Sequence, residues 1–278
     1  MAESNPNTAL PNAKIAIIGG SGLYSLFEEG AQEVEIQTKY GSPSDKISVG
    51  KINGKEVAFL PRHGIKHTIP PHKINYKANI EALAQLGVER IISTTAVGSL
   101  SADIDPGMFV FPDQFINFTH RSEETFFDGP EVAHISTADP YCDEIRSVAI
   151  DDSDTININY LDRATLVTIN GPRFSTKSES KMFRSLGGDI INMTQYPEIT
   201  LAREKAMCYF SIAIVTDYDS GLEGREDISP VTTDDVNKKF AESIKNLRLL
   251  LNSLAKDIPE KRSCTCSHVL DNAFMTKM

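Results

Sequence analysis

The stretch Ile212–Ser220, with the sequence Ile-Ala-Ile-Val-Thr-Asp-Tyr-Asp-Ser, decides the fold class of this chain. Its first four residues are apolar without polar alternation, which predicts a strand buried on both faces, as in a parallel sheet. Two carboxylates, Asp217 and Asp219, follow this strand directly. Ligands of open α/β sheets collect outside the carboxyl ends of the strands, so the pair marks a candidate binding edge.

Similar apolar runs precede this strand and alternate with helical patterns. The other predicted strands are Ile15–Ile18, Val57–Leu60, Ile91–Thr94, Phe109–Phe111, Leu166–Ile169 and Ile190–Met193. Helices are predicted over Asn75–Leu86, from Pro197 through Tyr209, and from Val236 to Ile258 with Thr232 and Asp235 as the cap. The segment from Thr119 to Ser153 is the least regular. We therefore predict a single α/β domain over residues 14–260, with a central mixed, largely parallel sheet flanked by helices.

Composition and charge narrow the possible partners. The chain has 278 residues, and its net charge of −10 without a basic stripe argues against nucleic acid. No apolar run approaches the roughly 20 residues of a membrane span. Residues 1–13 lack the apolar core of a signal peptide and are predicted as a disordered lead-in, and residues 261–278 as a C-terminal tail. We expect a cytoplasmic protein without membrane or nucleic-acid partners.

Four cysteines are present, at positions 142, 208, 264 and 266. A zinc site normally shows paired C-x-x-C spacing with histidine nearby, and Cys264-Thr265-Cys266 is too tight for that pattern. The sequence therefore predicts no metal site. Two reduced thiols on a mobile tail and a strained, redox-sensitive link both remain open.

A glycine-rich turn, Gly19-Gly20-Ser21-Gly22, follows the first predicted strand, where backbone amides can cradle a phosphate. It lacks the third glycine of a dinucleotide fingerprint, and no strand ends in an acidic residue roughly 20 positions further on. A plain tight turn, a dinucleotide loop and a loop for a smaller phosphate all remain open from this motif alone.

Arg62 and His63 follow the second long strand, in Pro61-Arg62-His63-Gly64. An arginine guanidinium can bind phosphate through two parallel hydrogen bonds, although a surface arginine beside a satisfied histidine is the alternative. The spacing of His63 and His67 invites a metal interpretation. Gly64 and the following prolines predict a loop without an acidic third ligand, which disfavours it.

Two further strand ends carry hydroxyl groups, in Thr94–Leu100 (TTAVGSL) and Asn192–Glu198 (NMTQYPE). Helix packing is the alternative for these small residues, and Met193 by itself is more typical of a core. Their common position at strand ends favours one shared site. An anion pocket is therefore predicted from Ser21, Arg62, Thr95 and Thr194.

Six motifs in this order, IIGGSGL, LPRHG, TTAVGSL, INGPRFST, NMTQYPE and TDYDS, resemble the 5′-methylthioadenosine phosphorylases of the purine nucleoside phosphorylase family. The resemblance spans about residues 14–255. It implies a homotrimer or a dimer of trimers that uses no metal or organic cofactor. The implied reaction is phosphorolysis of 5′-methylthioadenosine to adenine and 5-methylthioribose 1-phosphate, with inorganic phosphate as co-substrate, in purine and methionine salvage.

The resemblance also implies roles for particular residues. The implied phosphate site consists of Ser21, Arg62, His63, Thr95, Ala96 and Thr194. The implied nucleoside contacts are Phe174, Ile191, Asn192, Met193, Asp217, Asp219, Val231, Val236 and, from a neighbouring subunit, His134. The tail resembles the C-x-C tail of some archaeal members, in which disulfides contribute to thermal stability. This implies a Cys264–Cys266 link, with a Cys142–Cys208 pair as a further hypothesis.

The aspartate pair suits the chemistry of purine release. The departing base carries negative charge until N7 is protonated, and a carboxyl in an apolar site near another carboxylate has a raised pKa. We predict that Asp217 is this acid and that Asp219 accepts from the 6-amino group. Both are therefore predicted as catalytic residues.

Other functions remain as alternatives. A purine nucleoside phosphorylase for inosine or guanosine and a methylthioinosine phosphorylase bind 6-oxopurines, which the aspartate pair disfavours, whereas adenosine stays open as a substrate. A nucleoside-binding protein without catalysis would not need a phosphate pocket. An NAD-dependent dehydrogenase is a residual alternative.

Overall fold

The computed structural model describes residues 10–20, 23, 27, 30–222 and 228–275, and its strands form one mixed sheet. The strands are Ile15–Gly19 (β1), Gln32–Val34 (β2), Ile47–Ile52 (β3), Lys55–Pro61 (β4), Arg90–Ser99 (β5), Phe109–Val110 (β6), Gln114–Phe118 (β7), Tyr160–Leu161 (β8), Thr165–Ile169 (β9), Ile190–Asn192 (β10) and Cys208–Asp217 (β11). The α-helices of the described residues are Tyr76–Gln85 (α1), Asp143–Ile156 (α2), Lys177–Ser185 (α3), Gln195–Glu204 (α4) and Thr233–Asp257 (α5).

The sheet follows the order β2-β3-β4-β1-β5-β10-β9-β7, with β11 beside β5 and with β6 and β8 beyond it. Six of its ten strand pairings are parallel. The predicted fold class, a mixed, largely parallel sheet flanked by helices, is therefore confirmed. None of the helices in the described part of the chain is long and apolar enough to cross a membrane.

The centre of the sheet is the long parallel pair of β5 and β11. Their register runs from Arg90 opposite Cys208 to Val97 opposite Val215, and a shift then places Gly98 opposite Asp217. The first nine residues of β11 are all buried, as its apolar run predicts. Strand β5 is longer than the predicted Ile91–Thr94, because its second half keeps pairing with β11. The TTAVGS segment therefore lies within a strand and not beyond its end.

Helices cover both faces of the sheet because successive side chains of each buried strand point to opposite sides. Ile17 of β1 and Ile212 of β11 belong to the core that contains α2 and α5. Ile18 of β1 and Tyr209 of β11 belong to the core that contains α1 and α4. Both layers position the loops at the strand ends.

The predicted cap of α5 is confirmed, and the structure adds a cap at the start of α1. The side chain of Asn75 accepts from the N–H of Ala78 at the start of α1, and a capping box joins Thr232 and Asp235 at the start of α5. The prediction that the helix after Pro197 continues to Tyr209 is wrong. Helix α4 ends at Glu204, because the chain turns sharply at Ala206 (φ 53°) and enters β11.

Two predictions about irregular segments were only partly correct. Residues 119–142 contain no helix or named strand, but α2 begins at Asp143, inside the segment predicted to be irregular. The lead-in lies outside the described residues up to position 9, whereas Ala13 is buried and donates its N–H to the Leu86 carbonyl at 3.0 Å.

The C-terminal tail packs on the domain as far as it is described. Cys266 and Ala273 are buried, and Phe274 forms a β-bridge with Ala133. The prediction of a mobile tail is therefore wrong for residues 261–275, because apolar contacts and backbone hydrogen bonds hold this segment. Residues 276–278 lie outside the described part.

The four cysteines are free thiols in the structure. The predicted Cys142–Cys208 and Cys264–Cys266 disulfides are therefore not formed. Their four sulfur atoms nevertheless all lie within 4.8 Å of one another. Packing of the tail against the starts of α2 and β11 brings together thiols that are far apart in the sequence.

Candidate active site

A cavity of about 930 Å³ opens at the carboxyl ends of the central strands. Most residues predicted for the phosphate and nucleoside sites line it: Arg62, His63, Thr95, Ala96, Phe174, Ile191, Asn192, Met193, Thr194, Asp217, Asp219 and Val236. Ser21 lies outside the described residues. The structure thus brings motifs from five separate parts of the sequence to one edge of the sheet, as expected for an open α/β fold.

Arg62 lies at the end of β4 and is buried, with an exposed fraction of 3%. Its Nε and Nη2 atoms donate to the two carboxylate oxygens of Glu198 at 2.7 and 2.9 Å. Nη1 donates to the Thr94 carbonyl at 2.9 Å, and Nη2 also donates to the Ser93 hydroxyl at 2.7 Å. Only one of its five N–H groups, on Nη1, has no acceptor in these contacts.

Glu198 is the residue that makes this burial possible. Burial alone would lower the pKa of the Arg62 guanidinium, but the adjacent Glu198 carboxylate reverses that shift and raises the pKa. Glu198 itself is fully buried and also accepts from Tyr209 at 2.7 Å. Sequence reasoning quoted Glu198 only as part of a helix start. The signal available was an acidic residue in the first turn of a helix beside a strand end.

His63 is neutral in this environment. Its Nδ1 lies 2.8 Å from the Ile69 carbonyl and therefore carries the proton, which leaves Nε2 as an acceptor. Burial lowers the pKa of His63 to about 4. The ring also stacks on His67 with centroids 4.4 Å apart. His63 can therefore accept a hydrogen bond from a ligand hydroxyl at neutral pH, but it supplies no positive charge.

Asn192 organises the turn that follows β10. Its Oδ1 accepts from the backbone N–H groups of Thr194 and Gln195 at 3.4 and 3.3 Å. Its Nδ2 lies 3.3 Å from the Thr95 hydroxyl, and the Thr168 hydroxyl donates to its Oδ1 at 3.3 Å. One amide therefore links β5, β9 and the start of α4, and holds Thr95 and Thr194 at the same wall.

Asp217 lies at the end of β11, where the apolar strand meets the cavity. Its carboxylate accepts from the Thr216 hydroxyl and the Asp219 N–H, both at 2.7 Å. Burial raises the pKa of Asp217 from its usual 3.8 to about 6, and these hydrogen bonds oppose the shift only in part. The group is therefore poised to exchange a proton near neutral pH.

Asp219 is more deeply buried, with an exposed fraction of 4%. Burial raises its pKa too, although the nearby Ser180 and Ser175 hydroxyls partly offset that shift. Its Oδ2 atom makes no hydrogen bond within the described residues at ordinary bonding distance. Leaving a buried carboxylate oxygen without a partner is costly, so this atom is suited to accept a donor from a ligand.

Two glycines make room for these side chains. A Cβ atom on Gly98 would lie 2.9 Å from Asp217 Oδ1 and 3.2 Å from the Asp219 Cα. At Gly171, which has φ 66°, a Cβ atom would lie 2.6 Å from the sulfur of Met193. The first glycine therefore lets β5 approach the aspartate pair, and the second lets the loop after β9 pack on Met193.

Arg121, in the irregular segment after β7, joins two loops of the cavity. Its guanidinium donates to the backbone carbonyls of Met193 at 2.6 Å and of Tyr196, and lies 3.4 Å from the Asn170 carbonyl. It also stacks over the Tyr76 ring at 5.0 Å. Sequence reasoning missed Arg121, because nothing in its local pattern identifies its distant partners.

Helix α5 supplies an apolar wall on the remaining side. Val236, Phe240 and Ile244 line the cavity at spacings of four residues, which places them on one face of the helix. Asp234 is exposed and is not among the lining residues. Tertiary packing therefore directs these apolar residues near the start of α5 toward the cavity and Asp234 away from it.

Two of the predicted nucleoside-site residues do not line this cavity. Val231 donates its backbone N–H to the Asp219 carbonyl at 3.0 Å, so it supports the loop behind the aspartate pair. His134 is exposed on a loop whose N–H donates to the Ala273 carbonyl at 2.8 Å. The role predicted for His134 requires a neighbouring subunit and stays a prediction.

Comparison with known proteins places the chain in a family. A model of the phosphorylase superfamily matches residues 14–256, and the chain belongs to this superfamily. The S-methyl-5′-thioadenosine phosphorylase of Saccharolobus solfataricus is 50% identical over 269 residues, covering 95% of this chain and 97% of the relative. That of Thermofilum pendens is 49% identical over 267 residues, covering 96% of this chain and 100% of the relative.

Solved structures of similar proteins have the same fold. A methylthioadenosine phosphorylase from an antarctic soil metagenomic library matches with a TM-score of 0.88 at 39% identity, covering 96% of this chain and 93% of that one. The methylthioadenosine phosphorylase of Schistosoma mansoni in complex with adenine matches with a TM-score of 0.84 at 36% identity, covering 90% and 93% of the two chains.

Proposed function

We propose that this protein catalyses the phosphorolysis of 5′-methylthioadenosine to adenine and 5-methylthioribose 1-phosphate. The observation that carries the proposal is one cavity with a phosphate-type wall, the half-buried Asp217 and the buried Asp219, both with raised pKa values. A reaction between two substrates needs both sites in a single cavity. The names of the relatives at 49 and 50% identity support the same reaction.

The phosphate wall comprises Arg62, His63, Thr95, Ala96 and Thr194, and it holds little net charge. Because Glu198 already neutralises Arg62, phosphate binding depends on hydrogen-bond donors more than on excess positive charge. Neutral His63 accepts from a hydroxyl of the phosphate or of the sugar. Cleavage of the glycosidic bond develops positive charge on the sugar, which the bound phosphate stabilises before it attacks.

The aspartate pair recognises the purine. Protonated Asp217 donates to N7 of the leaving base and neutralises the negative charge that develops there. Asp219 accepts from the 6-amino group through its unpartnered oxygen. A 6-oxopurine offers no donor at that position, so inosine and guanosine leave this buried oxygen unsatisfied and bind less well. Phe174 stacks on the base and Met193 lies under the ribose.

The apolar face of α5 supports a methylthio group at the 5′ end of the nucleoside. Val236, Phe240 and Ile244 favour burial of an apolar substituent over a hydroxyl, which would lose its hydrogen bonds to water. Adenosine is the second candidate substrate, because it presents the same purine to Asp217 and Asp219. Comparing the rates of base release from methylthioadenosine and from adenosine tests the role of α5.

The reaction uses inorganic phosphate and no metal or organic cofactor. The active form is a homotrimer or a dimer of trimers in which His134 reaches the 5′ end of a nucleoside bound to the neighbouring subunit. We place the enzyme in the cytoplasm, in purine and methionine salvage.

The direct test measures the base released from methylthioadenosine, adenosine and inosine, each with and without phosphate. We expect phosphate-dependent release of adenine, fastest from methylthioadenosine, and little release of hypoxanthine from inosine. Release of base at the same rate without phosphate would contradict phosphorolysis. A faster reaction with inosine would contradict the roles of the aspartate pair.

A further inference from the structure

The cysteine cluster lies at the opposite end of β11 from the cavity. Cys208 is the first residue of β11, Cys142 immediately precedes α2, and Cys264 and Cys266 lie at a single 3₁₀ turn in the C-terminal tail. The Sγ atoms all lie within 4.8 Å of one another, and the closest described contact, between Cys208 and Cys264, is 3.3 Å. Four sulfur atoms therefore surround one point.

The size of this group suits a tetrahedral metal ion. Zinc bound to four cysteines has Zn–S bonds of about 2.3 Å, which places neighbouring sulfur atoms about 3.8 Å apart. The Cys208–Cys264 distance of 3.3 Å and the upper limit of 4.8 Å for the whole group bracket that value. Four thiolates are soft ligands, and among the common divalent ions they favour Zn²⁺ over Mg²⁺ or Ca²⁺.

The surroundings also suit a buried, negatively charged complex. Cys142, Cys208 and Cys266 are buried and Cys264 is half-buried, so little competing water reaches the sulfur atoms. A zinc ion with four thiolates has a net charge of about −2, which needs a compensating cation when buried. The guanidinium of Arg90 is buried and lies 3.9 Å from the Cys208 sulfur, and it shares its charge with the Glu144 carboxylate, to which it also donates.

We propose that the four cysteines bind one Zn²⁺ ion that fastens the C-terminal tail to the α/β domain. Two of the ligands belong to the domain, Cys142 and Cys208, and two belong to the tail, Cys264 and Cys266. Local contacts already guide the tail to this position, because the Ser263 N–H and hydroxyl both donate to the Glu144 carboxylate at 2.7 and 2.5 Å. The metal adds a strong link to the apolar contacts and hydrogen bonds that hold the segment.

The proposed zinc link also affects the loop that carries His134. Beyond the cysteines, the tail pairs with that loop, since Phe274 bridges Ala133 and the Met275 N–H donates to the Val132 carbonyl at 2.9 Å. Release of the tail would therefore free one side of the His134 loop. The proposed metal is structural, and its presence does not depend on the proposed reaction.

The metal content of the full-length protein tests the proposal. The protein is purified under reducing conditions without chelator, and its zinc is measured by mass spectrometry of the elements. We expect about one zinc per chain. A second sample, purified without reductant, should have an intact mass under denaturing, non-reducing conditions that corresponds to four reduced cysteines. A chain without zinc, or a mass lowered by the hydrogens lost in one or two disulfides, would overturn the proposal.

Cobalt replacement and one variant pair identify the ligands. Co²⁺ added to the zinc-depleted chain should give the visible absorption of a tetrahedral thiolate complex, and Zn²⁺ should displace it. Cys266→Ser should lose this absorption and the zinc, whereas Ser263→Ala, which changes a neighbouring tail residue that is not a ligand, should keep both. Equal zinc content in the two variants would overturn the assignment. If Cys266→Ser fails to fold, the wild-type zinc content and cobalt spectrum decide.

Discussion

The two ends of β11 carry different chemistry. Asp217 ends the strand in the substrate cavity, and Cys208 begins it in the cysteine cluster, about 30 Å away for a strand of ten residues. The central part of the cavity is built from residues that lie in the carboxyl-terminal parts of strands or just after them, adjacent to apolar runs in the sequence. The cysteine cluster draws on three segments that are separated by more than 50 residues each.

This difference shows how a largely parallel sheet divides its two edges. At the carboxyl edge, loops and helix starts line the cavity, and Asp217 and Asp219 lie there with raised pKa values. At the amino edge of β11, the cysteines connect the tail to the domain. We therefore expect substitutions at the carboxyl edge to change catalysis and substitutions at the amino edge to change stability.

The largest effect is expected from Asp217→Asn. Loss of the acid that protonates the leaving base should lower kcat/KM for methylthioadenosine by about 100-fold to 10,000-fold. Steady-state kinetics with saturating phosphate measures this. Asp234→Asn is the matched control, because Asp234 is exposed on the first turn of α5 outside the cavity. Turnover of Asp217→Asn within a few-fold of wild type would show that the assigned role is wrong.

The pH dependence of kcat/KM and of stability, compared between the wild type and Asp217→Asn, sharpens this prediction. In the proposed mechanism the active form has Asp217 protonated, so kcat/KM should fall about tenfold per pH unit above about pH 6, and Asp217→Asn should lack this limb. Because the folded-state pKa lies above the usual 3.8, the folded protein binds the proton more tightly and loses stability as pH rises from about 4 to 6. Asp217→Asn should therefore be more stable at pH 8, by at most about 2 to 3 kcal/mol.

A smaller effect is expected from Glu198→Gln. The substitution removes the charge that compensates buried Arg62, and this should cost about 3 kcal/mol of unfolding free energy and raise KM for phosphate about tenfold. Denaturant unfolding and phosphate titration measure the two effects. Glu204→Gln is the control, since Glu204 is also buried on α4 but contacts Thr125 and Phe126. An unchanged phosphate KM would contradict the positioning role.

Arg121→Gln should lower kcat/KM about tenfold, because the carbonyls of Met193 and Tyr196 lose their common donor. Arg121→Lys retains the charge and one donor and should recover part of the activity. Arg173→Gln is the control, because Arg173 is exposed and pairs with Glu179 on α3. If Arg121→Gln lowers Tm but leaves kcat/KM within about twofold of wild type, Arg121 stabilises the fold without positioning the site.

The smallest effect on catalysis is expected at the other end of the strand. Cys266→Ser should leave kcat/KM for methylthioadenosine within about twofold at 25 °C, while Tm falls by about 5 °C or more through loss of the tail attachment. Thermal unfolding monitored by circular dichroism gives the second value. The pairing of Phe274 and Met275 with Ala133 and Val132 does not involve the cysteines and should keep the His134 loop in place at 25 °C. A large loss of turnover in protein that remains folded would mean that the metal is needed to position this loop.

Much of the fold was predictable because its signals are local. The apolar run Ile212–Val215 indicated a buried strand, and the predicted helix limit at Asn75 and the predicted cap at Thr232 located the starts of α1 and α5 within about a residue. The predicted ends of one strand and one helix were wrong. Strand β5 extends to Ser99 because of its partner β11, and α4 ends early because the chain must turn into the sheet. Both depend on neighbours distant in sequence.

The candidate site likewise contains residues that the sequence predicts and contacts that it does not predict. Asp217, Asp219, Thr95 and Thr194 could be predicted, because each follows or belongs to a strand and has a residue type suited to the chemistry. Arg62 was predicted as a phosphate ligand, but the bidentate pair with Glu198, 136 positions away, could not be inferred from spacing. The hydrogen bonds from Arg121 have no sequence signal, since their acceptors are backbone carbonyls that any residue offers.

The sequence by itself determined the α/β class, the strand ends that carry chemistry and the pair of aspartates, because periodicity and adjacency to apolar runs are properties of neighbouring residues. Only the tertiary structure decided how these groups are charged and paired. Burial raises the pKa of Asp217, Glu198 neutralises Arg62, and the packed tail brings Cys266 to Cys142 and Cys208. Desolvation and long-range pairing exist only after the chain has folded.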